Sequence, residues 1–249
     1  MEATIKKIDG YELSTFVKKL LPIDKFIFMK IGKEGTVSSV YFPERDAVKL
    51  VSTPTSDIFD TEITDPVKVS FYNGSKVIDA LSHFNGDVQG KIKYSEIDGE
   101  LMASDFTLAN EDLQINLACA DPSLSFMEMS KEETDRAFGT EGSIFQFDLL
   151  TTHVDKMKSL FNLEREEDTF TLAVNDKGVA VQGLSYDATL AHTYEGEDAV
   201  GQKVVIYKKY INLLDKENYR VVVCSNKVVF RSLDTNTHLT VAVAITDED

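Results

Sequence analysis

Cysteine, proline and positive charge are all scarce in this chain of 249 residues, and each scarcity excludes something. The two cysteines, Cys119 and Cys224, sit in separate strand-like runs, "LQINLACA" and "YRVVVC". They read as buried free thiols and are too few for a disulfide framework. No Cys/His spacing has the form of a metal site, and the four histidines (His83, His153, His192, His238) are scattered, none in a context that suggests a catalytic dyad. Neither GxxxxGK[ST] nor GxGxxG occurs, which argues against a nucleotide cradle. No apolar run approaches the roughly 18 residues of a membrane span. The start, "MEATIKKIDGYELSTF", carries charges where a signal peptide needs an apolar stretch. These absences lead to the expectation of a soluble, cytoplasmic, non-secreted protein with no cofactor and no metal.

What is present points to a packed, strand-rich fold. The apolar fraction is 43% and proline numbers only five, so a sizeable core is expected and wholesale disorder is not. The length suits one large domain or two of ordinary size. Runs such as "FIFMKI", "SSVYF", "AVKLVS", "VKVSFY", "LQINLACA", "TFTLAV", "GVAVQGLSY", "KVVIY", "YRVVVC", "KVVFRSL" and "LTVAVAI" are rich in β-branched and aromatic residues. Turn-prone text such as "GKEG", "NDKG", "SNK" and "DTNT" separates many of them.

Four stretches break this pattern and read as helices. Over residues 11–21, Leu13, Phe16, Val17 and Leu20 make one apolar face, with Asp9 and Glu12 as a possible capping box and Pro22 as the stop. Residues 74–85 place Val77, Leu81 and Phe84 on one side, with Gly86 at the C-terminal end. The third covers 148–163 and the fourth 207–218, the latter with Tyr210, Ile211 and Leu214. Each helix follows one strand and precedes about three. A strand–helix–strand–strand–strand unit therefore occurs four times, as architecture without a residue-level repeat. The helices are too few for crossovers between all strands, so an α+β fold of antiparallel sheets with helices on one face is expected. Residues 1–121 and 142–249 read as two similar domains, and 122–141 as a charged connector. The connector carries Leu124, Phe126, Met127 and Met129, which either staple it to the domains or edge a groove for a partner peptide.

The charge is unevenly shared. The chain has 26 basic and 42 acidic residues, a net of −16. The four helical stretches hold Lys18, Lys19, Lys76, Lys156, Lys158, Lys208, Lys209 and Lys216 against six acids, a balance of +2 that leaves −18 elsewhere. With the apolar faces turned to the sheets, Lys18, Lys19, Lys76, Lys209 and Lys216 fall on the outer face, and Lys156 and Lys158 toward the flanks. Lysine is also an ordinary solvating residue on helices. The alternative is a shallow basic strip that attracts nucleic-acid phosphates without reading sequence, since no Arg or Asn stands as a base reader.

At this point the sequence resembles the DNA-polymerase sliding clamps, most closely the T-even-phage type of trimeric clamp. The four-unit, two-domain plan is theirs. "NGSKVIDALSHF" followed by "LACADPSL" looks like the second unit of such clamps, whose closing strand turns at Ala120–Ser123 into the connector. "INLLDKENYRVVV", "KVVFRSL" and "LTVAVAI" resemble the last helix and closing strands. The resemblance implies the DNA-clamp fold, with sheets outside and two helices per domain on the inner face. It implies a homotrimeric ring that encircles duplex DNA and tethers the replicative DNA polymerase, loaded by a clamp loader. The eight helix lysines would face DNA. The subunit contact, carried over by position, would join residues 113–119 (Leu113, Ile115, Leu117) to 179–186 (Val179, Val181, Leu184). Leu124, Phe126 and Met127 would line a partner-peptide groove. "TDED" at the end reads as a solvated tail.

Two rival readings remain open. An enzyme would need gathered acid, base and nucleophile, and no spacing selects them. An acidic, β-rich, oligomeric virion protein with no DNA role fits the composition, but gives its helices no reason to be the basic part.

Overall fold

The computed structural model describes residues 1–42, 44–121 and 129–244. The strand–helix–strand–strand–strand unit recurs four times. The first is β1 (Glu2–Ile8), α1 (Gly10–Leu20), β2 (Ile27–Ile31), β3 (Thr36–Tyr41) and β4 (Ala47–Thr53), followed by a short insertion, α2 (Thr55–Ile58) and β5 (Phe59–Thr61). The second is β6 (Val67–Phe71), α3 (Gly74–Ser82), β7 (Val88–Ile97), β8 (Glu100–Ala109) and β9 (Gln114–Ala118). After α4 (Lys131–Phe138) comes the third: β10 (Ser143–Leu149), α5 (Thr151–Phe161), β11 (Thr169–Asn175), β12 (Gly178–Gln182) and β13 (Asp187–Ala191). The fourth is β14 (Lys203–Tyr207), a 3-10 helix (Lys208–Leu213), β15 (Tyr219–Cys224), β16 (Lys227–Ser232) and β17 (Asn236–Ala242).

The chain divides into two compact units, Met1–Pro43 with Lys49–Ser130, and Lys131–Asp249 with the early segment Glu44–Val48. In the first unit the strands run in the order β4-β3-β2-β6-β8-β7-β1-β5, with β9 added on β8. Antiparallel ladders dominate, and β6 meets β8 in parallel at Val67–Leu101 and Lys68–Met102. The second unit has β10-β15-β16-β17 and a separate sheet, β13-β12-β11-β14, whose ladders are antiparallel.

The helices form where caps and apolar spacing agree. The Asp9 carboxylate accepts the N–H groups of Tyr11 and Glu12, both at 3.0 Å, and starts α1. Leu13, Phe16, Val17 and Leu20 of α1 are buried, each worth about 1.5–3 kcal/mol of burial, and Lys18 and Lys19 stand in the last turn where the helix dipole favours cations. Asn73 caps α3 by accepting Ser75 N–H at 3.0 Å. At Gly74 a Cβ would lie 2.3 Å from Ile27 Cγ1, so glycine lets the start of α3 lie against β2, where Gly74 N–H reaches Lys25 O at 2.7 Å. α1 and α3 pack against each other, and Phe71 and Phe59 each set an edge toward Phe106 below them.

α4 falls inside the segment read from sequence as a connector. It packs on β17, and its last carbonyls find donors from the sheet: Lys227 Nζ to Arg136 O (2.6 Å), Arg231 Nη2 to Phe138 O (2.9 Å) and Thr240 Oγ1 to Ala137 O (3.1 Å). Those bonds satisfy groups that a helix end otherwise leaves to water. Among the described residues no helix is long and apolar enough to cross a membrane.

Candidate functional site

The eight lysines separate into two kinds of environment. In the first unit, Lys18 closes α1 and Lys76 opens α3, both exposed, while Lys19 is half-buried beside Lys18. α1 and α3 lie together, so these ammonium groups share one helical layer.

In the second unit three lysines are drawn into the protein's own contacts. Lys156 on α5 donates to Thr189 O on β13 at 2.9 Å. Lys208 donates to Glu164 O at 2.7 Å, with its Nζ 5.5 Å from the centre of the Phe161 ring. Lys209 bonds to both Glu44 Oε2 and Asp46 Oδ2 at 2.9 Å and lies over Tyr207 and Tyr210, 5.4 and 5.1 Å from their ring centres. Burial works against the Lys209 ammonium, yet Glu44 and Asp46 hold its pKa above the ordinary value. Burial likewise opposes ionisation of Asp46, but hydrogen bonds from Tyr210 and Lys209 outweigh it and hold the carboxyl below its usual range. Lys158 is half-buried on α5.

The fourth helix departs from the expectation over 207–218. It is a six-residue 3-10 helix, with Tyr210, Ile211 and Leu213 buried. Lys216 therefore lies in the bend beyond the helix and not on its outer face. The spacing of Tyr210 and Leu213, three apart, places both on one face of a three-per-turn helix. Tyr219 OH then accepts Asp215 N–H at 2.9 Å and holds the chain after Leu214.

The expected subunit-contact residues divide as sharply. β9 pairs only with β8 among the described residues, and it alternates: Ile115 and Leu117 are half-buried while Gln114, Asn116 and Ala118 are exposed. It is a sheet edge, with Leu113 half-buried just before it. Val179 and Val181 are not at an edge. Both are 0% exposed in β12, which has β11 on one side and β13 on the other. The run is apolar because both of its faces are covered. The edges of that sheet are β13 and β14, and Leu184, 85% exposed, sits in the turn between β12 and β13.

β13 was missed in the sequence because "DATLA" has weak strand character. Its position depends on Gly178 at φ +125°, where a Cβ would come 2.1 Å from Ala191 O. Leu124, Phe126 and Met127 lie outside the described residues, as does the "TDED" end. Among the described residues no group of three or more His, Cys, Asp or Glu could hold a metal ion.

Four strand–helix–strand–strand–strand units, two to each compact half, define the α+β sliding-clamp fold. Solved structures of that class superpose on nearly the whole chain. PCNA of A. fulgidus, solved with the C-terminal region of FEN-1 bound, matches at TM-score 0.67 and 11% identity over 99% of this chain and 100% of that one. PCNA of Entamoeba histolytica matches at 0.66 and 13% identity over 98% of each. The H. pylori beta clamp matches at 0.67 and 11% identity over 99% of this chain and 64% of its own. At these identities the likeness establishes the fold, and it does not single out the phage type of clamp. No protein-family model matches the sequence, and no curated protein does.

Proposed function

We propose that this protein is the subunit of a ring-shaped DNA sliding clamp, a non-enzymatic processivity factor that encircles duplex DNA and tethers a replicative polymerase. The observation that carries the reading is a coincidence of fold and charge. The clamp fold assigns its helices to the DNA side, and in a chain of net −16 the four helical stretches alone are positive. Lysine contacts to phosphates are loose and independent of sequence, as sliding requires. The acidic remainder would keep DNA off the other surfaces.

In this reading three copies close head to tail, the β9 edge of one against the β13 edge of the next, which pairs both of those edges. Leu113, Ile115 and Leu117 would enter from one side and Leu184 would rim the other. Lys18 and Lys76 are the leading phosphate contacts, because both are exposed on well-formed helices; Lys19, Lys158 and Lys216 would add to the field. A clamp loader opens the ring, and the segment around Leu124, Phe126 and Met127 receives partner peptides.

The decisive experiment pairs solution mass with topology. The expected mass is three subunits, and the ring loaded on closed circular duplex should stay bound until the circle is cut. Tight, salt-insensitive, sequence-specific binding to a short linear duplex would overturn the reading, as would a strict monomer at high concentration. A virion protein would be indifferent to charge reversal at Lys18 and Lys76.

A further inference from the structure

β13 ends in a small cluster of bases. His153 stands in the first turn of α5, and its Nδ1 accepts the N–H of Leu150 at 3.2 Å. It takes the place of the Glu or Gln that reaches back to the N-cap N–H in a capping box, while Asn218 Oδ1 accepts the next N–H, that of Thr151, at 3.1 Å. One turn on, Lys156 reaches Thr189 O on β13 at 2.9 Å. Just past β13, His192 Nδ1 lies 3.2 Å from Lys177 O in the turn before Gly178. The start of α5 and the edge strand are thus joined by the Lys156 ammonium, with His153 on the same first turns of α5 and His192 just past β13.

We propose that His153 and Lys156 form a protonation-sensitive latch, the unprotonated imidazole holding the first turn of α5 from which Lys156 reaches the edge strand β13, and that the latch tunes pairing of that edge with a second copy. The second half rests on the ring reading above. The first half does not.

The chemistry sets the sign. Nδ1 can accept Leu150 N–H only when it carries no proton, so protonation of His153 breaks that bond, leaves Asn218 alone to hold the start of α5, and adds a cation beside Lys156 and His192. Carboxylates on neighbouring elements have partners of their own: Asp148 on β10 pairs with Arg220, and Asp187 on β13 accepts from Gln182. Asp155 follows on α5 itself, its backbone carbonyl accepting Ser159 Oγ. Burial, then the charges of Lys156 and His192, hold the His153 pKa below its ordinary 6.5. A base with a depressed folded-state pKa is secure above its ordinary value, and the capped state loses stability as pH falls from there toward the lowered one. General acidification works the other way, since it reduces the repulsion among chains of net −16. Weakened assembly on mild acidification would therefore report the latch and not the bulk charge.

The test compares the wild type, His153→Gln and His192→Asn at pH 7.5 and 5.5. Gln at the third helical position still accepts the cap N–H and does not titrate. Sedimentation should show the wild-type dissociation constant rising by about tenfold at pH 5.5, about 1.4 kcal/mol. The rise should be absent in His153→Gln and reduced in His192→Asn. Amide exchange should show β13 and the first turn of α5 losing protection over the same range. A wild-type trimer insensitive to pH, or a His153→Gln trimer with the same shift, overturns the latch and leaves the ring standing. A wild type that is monomeric throughout overturns the ring. The latch is then decided by exchange alone: loss of protection at pH 5.5 supports it and unchanged protection overturns it.

Discussion

α1 and α3 in the first unit run for 11 and nine residues from side-chain caps, Asp9 and Asn73. In the second unit, α5 also runs for 11 residues but starts at Leu150, which has no capping side chain, so that His153 and the distant Asn218 accept its first N–H groups, and its counterpart is a 3-10 helix of six residues. The same topological position is filled by well-capped α-helices in one half and by improvised ones in the other. The lysines follow suit. Lys18 and Lys76 stand exposed, whereas Lys156, Lys208 and Lys209 are committed to a strand carbonyl, a loop carbonyl and two carboxylates. The second unit has five of the eight lysines against three in the first, yet a larger lysine count does not confer a larger capacity to bind an external anion.

The comparison can be broken first at its core. Phe16→Ala should cost about 3–5 kcal/mol and Met157→Ala about 2–5 kcal/mol in urea denaturation, since each side chain anchors a helix and is nearly fully buried. A small loss at either position would show that the helix is not held by its apolar face. Next comes charge. Lys18→Glu with Lys76→Glu should reduce retention on closed circular DNA by about a hundredfold at moderate salt and flatten the salt dependence by about 0.9 log unit per lost phosphate contact. Lys208→Ala with Lys209→Ala should reduce it much less. Equal losses from the two pairs would erase the distinction between the halves.

Caps come third. Asp9→Ala should cost about 1 kcal/mol by thermal or urea unfolding, and Leu150→Asp should gain up to about the same by giving α5 an ordinary cap. The smallest effect belongs to Lys209→Ala, below about 1 kcal/mol, because its ion pairs are partly exposed. That difference carries a pH signature. Asp46 has a depressed pKa, so its stabilisation is present above the ordinary carboxylate range and is lost as pH falls through the lowered value. Wild type and Lys209→Ala should therefore converge in stability under strong acid, as urea midpoints taken across pH would show.

Much of this arrangement was legible where local signals agree. Leu13, Phe16, Val17 and Leu20 behind Asp9 specify α1 almost unaided, and "LQINLACA" is legible as a strand, though its apolar content suits a central position as well as the edge it occupies. The 3-10 helix was not legible, because Tyr210, Ile211 and Leu214 satisfy a 3.6 period as readily as a 3.0 one. β7 and β8 are expected only as a short hairpin implied by the resemblance, and do not stand out as strand-like runs because lysine, serine and acids occupy their exposed alternate positions. Val179 and Val181 misled because a strand buried on both faces and an apolar edge have the same composition. The partners of Lys209 could not be inferred at all, since Glu44 and Asp46 are 165 and 163 positions away. α4 was obscured by its charge, and only its docking on Lys227, Arg231 and Thr240 makes a helix of "KEETDRAF".

The placement of Glu44–Val48 has a consequence for anyone who would divide the molecule. Those five residues belong to the second unit, where Asp46 O accepts Ala242 N–H at 2.7 Å and its carboxylate seats Lys209. A fragment beginning at α4 would lack a piece of its own interior, and a fragment ending there would carry that piece without its surroundings. The polypeptide is therefore interlaced, and severed halves should regain order only when mixed.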